Sequence, residues 1–281
     1  MLTIERFTDR YEFAAPLYGR SPDELRDQDR RQAEPLQRWL AMRDGEAVGA
    51  VRPWKRADDR LFLHFACHEM SAYPPLLEMI DREFGRPVFT HVDAGDRDLV
   101  DLFTEADFRT EMTSERFRVR FDRALALVKR GQVSPGFSIR PANGVDEDRL
   151  FALDNLLRRD MQGTEGWRGD RRMFREEIVE SPPFDPASYL VGIDERSGDY
   201  AGLVRIWRNP DGPRFGLVGV LPRYRRTPLA AALLNQALSA AARWGYETFL
   251  GETSLDNEVT HPRLKRLGAE SLGQFLQLVR H

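Results

Sequence analysis

The sequence predicts a mixed α/β protein that is built from two tandem domains. Its 281 residues exceed the roughly 100 to 200 residues that one domain usually holds. One stretch of the chain is repeated, and short apolar runs alternate with helical patterns around it. Because the predicted strands outnumber the helices, we expect mixed sheets with helices packed on them. We place the domain boundary near residue 130, with domains at 1–130 and 131–281.

The repeat is clearest where GEAVGAVRPW, residues 45–54, is aligned with GDYAGLVRIW, residues 198–207. Five of the ten positions are identical, and the two segments lie 153 residues apart. The same offset aligns Pro75 with Pro228, so the register holds over about 30 residues. We infer a tandem duplication. The segment ALALVKRGQVSPG has the composition of a connector and joins the two copies near residue 130.

The secondary structure pattern is clearest in the second copy. Leu150, Leu153 and Leu157 recur at helical spacing. Gly245 follows an alanine- and leucine-rich segment, in the position after a helix where glycine is favoured. In chain order we predict a strand at 137–140, a helix from 146, a loop, a helix at 173–179, strands at 189–194, 200–207 and 214–220, a helix at 228–244, a strand at 248–252, a short helix that ends at 268 and a strand at 274–280.

Composition and charge limit the classes of function. Forty-two basic residues are spread among 45 acidic ones, and the net charge is −3, which argues against a nucleic-acid partner. No apolar run approaches the roughly 20 residues that cross a bilayer. The first residues, MLTIERFTDRYEF, lack the basic start and apolar stretch of a signal peptide. We therefore expect a cytoplasmic protein without a membrane partner.

Metal binding and covalent catalysis are weakly indicated. Cys67 is the single cysteine, which excludes an internal disulfide framework, and the five histidines are dispersed. The sequence contains no metalloprotease motif, no phosphate-binding P-loop motif and no serine nucleophile elbow. We therefore predict no metal site.

The stretch VGVLPRYRRTPLAAALL, residues 218–234, carries the strongest chemical signal. A strand turns directly into a helix there, so that free backbone N–H groups and the positive end of the helix dipole are presented together. Arg225 and Arg226 add charge, Thr227 is suited to cap the helix, and Pro228 is suited to be its first residue. These features fit a loop that holds a phosphate. They fit equally a turn that only starts a core helix beside solvated arginines.

With these residues, the second copy resembles the GNAT acetyltransferase superfamily. The resemblance rests on the order of the elements and on the phrase V-x-P-x-x-R-x-x-x-x-A, from Val220 to Ala230. The acetyl-CoA loop of that superfamily follows the pattern R/Q-x-x-G-x-G/A. Arg225 matches its first position, Pro228 its first glycine and Ala230 its last position.

The resemblance implies acetyl-CoA as co-substrate, with its pantetheine amides paired to the strand before the loop. Asn257, with Leu267 and Gly268, matches the asparagine that precedes the last helix of the superfamily and its closing Leu-Gly-Phe, although Ala269 replaces the phenylalanine. The cofactor-binding residues implied by the resemblance are Val218, Gly219, Val220, Arg225, Arg226, Thr227, Pro228, Leu229, Ala230 and Asn257.

The departures from the superfamily pattern predict that the loop binds the pyrophosphate of acetyl-CoA more weakly or in a different orientation. Arg226 and Pro228 stand where members commonly carry glycine, and Pro228 lacks an N–H group. The tyrosine that often serves as general acid on the last helix is replaced by Leu264. In the first copy the equivalent loop is CHEMSAYPPLL, with Ala72 in place of the arginine and Glu69 nearby. We infer that the N-terminal domain is a degenerate copy, in an architecture that resembles two-domain members of the mycothiol synthase type.

An acetyltransferase must remove a proton from the acceptor ammonium before direct transfer. Glu252 is the first candidate for this base, with an exposed strand-end carboxylate as the equal alternative. Asp160, Glu165 and Trp167 lie in the segment that covers the acceptor site in the superfamily, so the resemblance implies a substrate-binding role for them. The carboxylates would hold a cationic acceptor and the indole would line its pocket; a surface or structural role is the alternative for each.

The sequence thus favours an acetyl-CoA-dependent N-acetyltransferase that transfers an acetyl group directly to a primary amine of a small molecule or peptide. Its C-terminal domain is expected to be active and its N-terminal domain to support it. The alternative is a non-catalytic acyl-CoA-binding or regulatory module, which the missing tyrosine and the missing glycines favour. A purely structural scaffold is the third hypothesis.

Overall fold

The structure, a computed structural model, describes residues 1–30, 36–84, 87–129, 131–133, 135–209 and 212–281. The chain divides into two compact units, the first formed by Met1–Thr113 with Phe275–His281 and the second by Ser114–Gln274. In each unit, helices pack on a mixed sheet. The predicted fold class is therefore confirmed.

The strands of the described residues are β1 (Leu2–Phe7), β2 (Arg38–Arg43), β3 (Glu46–Lys55), β4 (Leu61–Cys67), β5 (Val88–Asp93), β6 (Arg109–Arg120), β7 (Phe137–Pro141), β8 (Tyr189–Asp194), β9 (Tyr200–Asn209), β10 (Gly212–Val220), β11 (Thr248–Ser254) and β12 (Glu270–Arg280). The helices are α1 (Tyr11–Ala14), α2 (Pro22–Arg30), α3 (Tyr73–Glu83), α4 (Arg97–Glu105), α5 (Phe121–Val128), α6 (Glu147–Arg159), α7 (Arg171–Phe174), which a π-helical turn (Arg175–Val179) continues, α8 (Leu229–Ala242) and α9 (Thr260–Arg266). None of these helices is long and apolar enough to span a membrane.

The first unit contains the strand order β1-β2-β3-β4-β5-β12, in which β4 and β5 are the parallel pair. Alternate residues of each strand face opposite sides, so successive apolar residues serve two cores. Trp39 packs with α3 and α4 on one side. Leu40 packs with α1 and α2 on the other.

The second unit contains the strand order β6-β11-β10-β9-β8-β7, in which β10 and β11 are the parallel pair. Its sheet also separates two cores. Val204 packs with α5 and α8 on one face. Leu203 packs with α6 on the other face, which we call the α6 face.

Two segments are placed differently from the sequence-based expectation. The last strand, predicted in the second half, pairs through Phe275–Arg280 with β5, so these residues belong to the first unit, whereas residues 270–274 of the same strand belong to the second. Part of the predicted connector is helical, because Ala124 and Val128 of α5 are buried against the core beside α8. Residue 130 itself lies outside the described residues, and the boundary proposed there for the duplicated sequence stays a prediction.

Candidate functional site

The strands β10 and β11 diverge on the second unit's sheet. Among the described residues they pair only at Arg214 and Leu250, whereas β10 pairs with β9 from Gly212 to Val220 except at Gly216. The early end of the parallel pair leaves outward-facing N–H and C=O groups of β10 without a strand partner. Val218 is exposed there, Gly219 is half-buried and Val220 is buried. This edge can pair with an extended ligand that carries amides.

The helix α8 begins at Leu229, one residue later than predicted, with Pro228 as its N-cap. Pro228 therefore stands outside the helix, and its missing N–H group is not one of the helix's own first amides. Thr227 Oγ1 accepts a long hydrogen bond of 3.4 Å from the Leu229 N–H. The N–H groups of Ala230 and Ala231 have no partner in the described part of the chain. Two amides and the helix dipole thus remain available to an anion.

The arginines of this turn differ in their partners. Arg225 forms an ion pair with Asp160 at the end of α6, and both side chains are about half exposed. Arg223 pairs with Asp199 at 2.8 Å. Arg226 is exposed and forms no ion pair with the described residues. A phosphate at Arg225 would therefore have to displace Asp160, which the sequence had suggested for the acceptor instead.

Asn257 supports the start of α9. Its side-chain oxygen accepts hydrogen bonds from the N–H groups of Val259 at 3.3 Å and Thr260 at 2.8 Å. This is the geometry of a helix cap, in which a side-chain oxygen satisfies the first amides. The cofactor-binding role of Asn257 stays a prediction.

Glu252 lies on β11, where three side chains hold its carboxylate. Ser114 Oγ donates to Oε1 at 3.0 Å, and the Arg116 guanidinium donates to Oε2 at 3.4 Å. Arg214 lies 3.7 Å from Oε2. Arg214 is opposite Trp207 on β9, which packs with the α6-face core, so Glu252 lies on the α6 face. Its side chain is 34% exposed, which leaves it open to an ammonium group.

The loop after α6 carries the other residues implied for the acceptor. Glu165 is exposed, and its Oε1 accepts a hydrogen bond from the Gly163 N–H at 2.9 Å. Trp167 is half-buried, and its carbonyl accepts from Arg159 Nε at 2.7 Å. The Arg158 guanidinium lies 4.4 Å from the centre of its ring, so a cation–π contact holds the indole. The substrate-binding role of Glu165 and Trp167 stays a prediction.

The repeated V-R-x-W segment contains a buried arginine that the sequence analysis missed. Arg205 is only 3% exposed, and its Nη1 donates to Asp154 Oδ1 of α6 at 3.0 Å. Asp154 also accepts from Arg158 Nε at 2.6 Å. The Arg205 guanidinium lies over the rings of Tyr189 and Trp207, at 5.4 and 4.8 Å from their centres. The sequence contained a signal for this pair, which is the arginine inside an apolar strand in both copies of V-R-x-W. A buried arginine needs a buried acidic partner, so the position could have been predicted to be paired.

The first unit contains an equivalent buried ion pair, but a side chain occupies a backbone group next to the diverging strands. Arg52 is buried and pairs with Asp29 of α2. Beyond Leu63, where the parallel pairing of β4 and β5 ends, the His64 carbonyl accepts a hydrogen bond from the Tyr18 hydroxyl at 3.1 Å. A backbone group next to the divergence is therefore already occupied. This supports the inference that the first unit is a degenerate copy.

A second buried pair joins β6 to α9. His261 Nε2 lies 2.7 Å from Glu115 Oε2, and both side chains are largely buried. Hydrogen bonds from Ser271 and then His261 hold the pKa of the Glu115 carboxyl below its usual value, against burial, which raises it. His261 stands one helical turn before Leu264, the position of the superfamily's tyrosine.

The described residues contain no group of three or more side chains that could hold a metal ion.

Comparison with known proteins agrees with this geometry. Residues 150–269 match the acetyltransferase (GNAT) family. Among proteins of curated function, none matches the chain. Similar solved structures include a GCN5-related N-acetyltransferase from Sphaerobacter thermophilus (17% identity, TM-score 0.69, 99% of this chain and 95% of that chain) and a tandem GNAT protein from the clavulanic acid biosynthesis pathway (14% identity, TM-score 0.70, 100% and 98%).

A third similar structure is a GCN5-related N-acetyltransferase from Kribbella flavida, with 16% identity and a TM-score of 0.55 over 96% of this chain and 95% of that chain. At these identities the likeness shows a shared fold. The fold is shared along nearly the whole chain, and the family match lies within the unit that contains the diverging strands. Residues 150–269 of the second unit thus match the GNAT acetyltransferase family, and nearly the whole chain shares its fold with GNAT proteins, one of which is a tandem GNAT protein.

Proposed function

We propose that the protein is an acetyl-CoA-dependent N-acetyltransferase whose second unit transfers an acetyl group directly to a primary amine of a small molecule or peptide. One observation carries the proposal: β10 and β11 diverge shortly before the start of α8, where the N–H groups of Ala230 and Ala231 have no partner among the described residues. A free strand edge suits the pantetheine amides and a free helix start suits the pyrophosphate. The family match of this unit supports the same assignment.

The residues of the second unit fit acetyl-CoA in two places. The backbone from Val218 to Val220 would pair with the pantetheine amides. The N–H groups of Ala230 and Ala231, with Arg225, would hold the pyrophosphate. The Asp160 carboxylate at Arg225 is no barrier, because an exposed ion pair contributes only about 0–1 kcal/mol.

Glu252 would act as the base toward the acceptor. Acetyl-CoA supplies the acetyl group as a thioester. Glu252 would take a proton from the acceptor ammonium, directly or through water, so that the free amine can attack. Ser114 and Arg116 hold the carboxylate in one orientation on the sheet for this proton transfer.

Titration calorimetry with acetyl-CoA tests the proposal. We expect Arg225→Ala to weaken binding by about tenfold, because a charge-assisted hydrogen bond to phosphate is lost. Arg223→Ala is the matched control, since Arg223 lies on the same turn and pairs with Asp199; we expect its affinity to stay within about twofold of wild type. If millimolar acetyl-CoA produces neither heat nor thermal stabilisation of the wild-type protein, the proposal is wrong.

Glu252→Gln tests the base. We expect it to lower kcat for CoA release across a panel of primary amines by about hundredfold or more, because the amide cannot accept the ammonium proton. The affinity for acetyl-CoA should not change. Glu270→Gln is the control, since Glu270 is an exposed carboxylate that accepts from Arg118 at 2.9 Å on the same unit. Equal rates in both variants would contradict the role of Glu252.

A non-catalytic acyl-CoA-binding module is the second candidate function. The observation that favours it is Leu264, a partly buried residue that packs against the core at the position matched to the superfamily's general acid. Acetyl-CoA binding without CoA release for any amine would support this candidate over the transferase.

A further inference from the structure

The place where β10 leaves β11 also contains a β-bulge. The register between β10 and β9 shifts between Phe215 and Leu217, so that Gly216 is the extra residue. In the first unit the equivalent strands β3 and β4 pair without a shift, and Leu63, which the repeat aligns with Gly216, is buried. Within the described residues, the bulge therefore distinguishes the second unit from its degenerate copy.

Two side-chain nitrogens meet beside Gly216. A methyl group on Gly216 would lie 2.8 Å from Trp207 Nε1 and 3.1 Å from Arg205 Nε. Neither nitrogen has a hydrogen-bond partner in the part of the chain that the structure describes. An unpaired N–H on a side chain as buried as Arg205 is unfavourable unless a ligand or water satisfies it. Gly216 is exposed, but Arg205 Nε itself is buried, so a ligand reaches this nitrogen only if the groups that cover it move aside.

The Arg205 side chain is fixed at its far end. Its Nη1 donates to Asp154, and its guanidinium carbon lies 5.4 and 4.8 Å from the ring centres of Tyr189 and Trp207. These contacts leave Nε as the guanidinium nitrogen next to the bulge. A donor that is already oriented loses little entropy when it binds a ligand.

The charges on the α6 face favour an anionic ligand. Asp154 accepts hydrogen bonds from two arginines, and Glu252 lies 3.4 and 3.7 Å from two others. The four arginines are Arg116, Arg158, Arg205 and Arg214. Each of the two carboxylates thus faces two guanidinium groups, and this arrangement attracts negative charge.

We propose that Arg205 Nε and Trp207 Nε1 bind a carboxylate of the acceptor beside Gly216, so that the acceptor is an amine that also carries a carboxylate, such as an amino acid or a short peptide. The inference rests on the proposed function, because it names the substrate class of the same site. Arg214, opposite Trp207 and paired with Glu252, places the carboxylate site and the base on one face of the sheet. The amine of such an acceptor can therefore point toward Glu252.

Direct binding tests this inference without requiring turnover. Calorimetry, with and without saturating CoA, uses two probe pairs that differ only in the carboxylate: alanylalanine with its C-terminal amide, and β-alanine with its amide. We expect the carboxylate member of at least one pair to bind about tenfold more tightly than its amide, because a charge-assisted pair of hydrogen bonds is lost in the amide.

Two substitutions locate the carboxylate. Gly216→Ala fills the point where the nitrogens meet, and Trp207→Phe keeps an aromatic ring but removes one donor; each should abolish the preference for the carboxylate. Gly251→Ala is the matched control on the neighbouring strand, because the nearest atom to its methyl group would be Phe215 Cβ at 4.0 Å. This control should keep the preference.

The outcomes separate the inference from the proposed function. Equal binding of carboxylate and amide, no binding of any probe, or a preference that survives both substitutions overturns the inference. A Trp207→Phe variant that loses acetyl-CoA affinity and keeps the preference also overturns it, because the donors would then serve the thioester oxygen. Failure of the proposed function has a different signature, which is the absence of acetyl-CoA binding by the wild-type protein.

Discussion

Asp154→Ala should lower the free energy of unfolding of the second unit by about 3–5 kcal/mol, because it leaves a buried charge without its partner. Arg205 is 3% exposed and would keep its charge while losing the carboxylate that Nη1 binds. Arg158 would lose the same partner. Urea denaturation followed by circular dichroism measures the loss, and the thermal midpoint should fall with it.

Asp160→Ala is the control for this prediction. Asp160 ends the same helix and also pairs with an arginine, but both side chains are about half exposed. An exposed ion pair contributes about 0–1 kcal/mol, so the variant should stay close to wild type. Similar small losses in both variants would contradict the view that Asp154 neutralises a buried arginine.

Ala231→Asp should have the second large effect, on cofactor binding. A fixed negative charge in the first turn of α8 would repel the pyrophosphate and weaken acetyl-CoA binding by at least about tenfold. The same carboxylate is favourable beside a helix N-terminus, so the free energy of unfolding should be unchanged or rise by about 0.5 kcal/mol. Calorimetry and urea denaturation measure the two quantities separately.

Ala231→Asn separates charge from shape, since asparagine has the size of aspartate without its charge. We expect it to retain most of the acetyl-CoA affinity. If both variants lost affinity equally, side-chain size would explain the effect. If Ala231→Asp bound acetyl-CoA as tightly as wild type, the pyrophosphate would not lie at the start of α8.

The ion pair between Arg225 and Asp160 changes how two sequence-based interpretations are understood. The sequence suggested Arg225 for the cofactor and Asp160 for a cationic acceptor, and the structure places them in contact with each other. An acceptor whose carboxylate binds beside Gly216 would be an amine that also carries a negative charge, not a purely cationic one. Cofactor binding at Arg225 would release the Asp160 carboxylate, which could then contact the amine end of such an acceptor.

Most elements of the second unit could be predicted from the chain alone. The strand at 189–194 agrees with β8, and the helix predicted from 228 to 244 contains α8. Gly245 follows α8 with a positive φ of 87°, as its place after a helix suggested. Errors of one or two residues at helix ends, such as the start of α8, arise because the cap geometry depends on ψ of Pro228, which no residue pattern specifies.

Local patterns were enough for the order of elements, the repeat and the turn that leads into α8, since periodicity and turn chemistry depend on neighbouring residues. The folded chain was needed to show that Arg205 meets Asp154 across 51 positions and that β12 pairs with β5. It also revealed the bulge at Gly216, beside which Arg205 Nε and Trp207 Nε1 have no hydrogen-bond partner among the described residues. Such contacts join residues that are distant in the chain. They are determined by strand pairing and side-chain packing, which are properties of the whole fold.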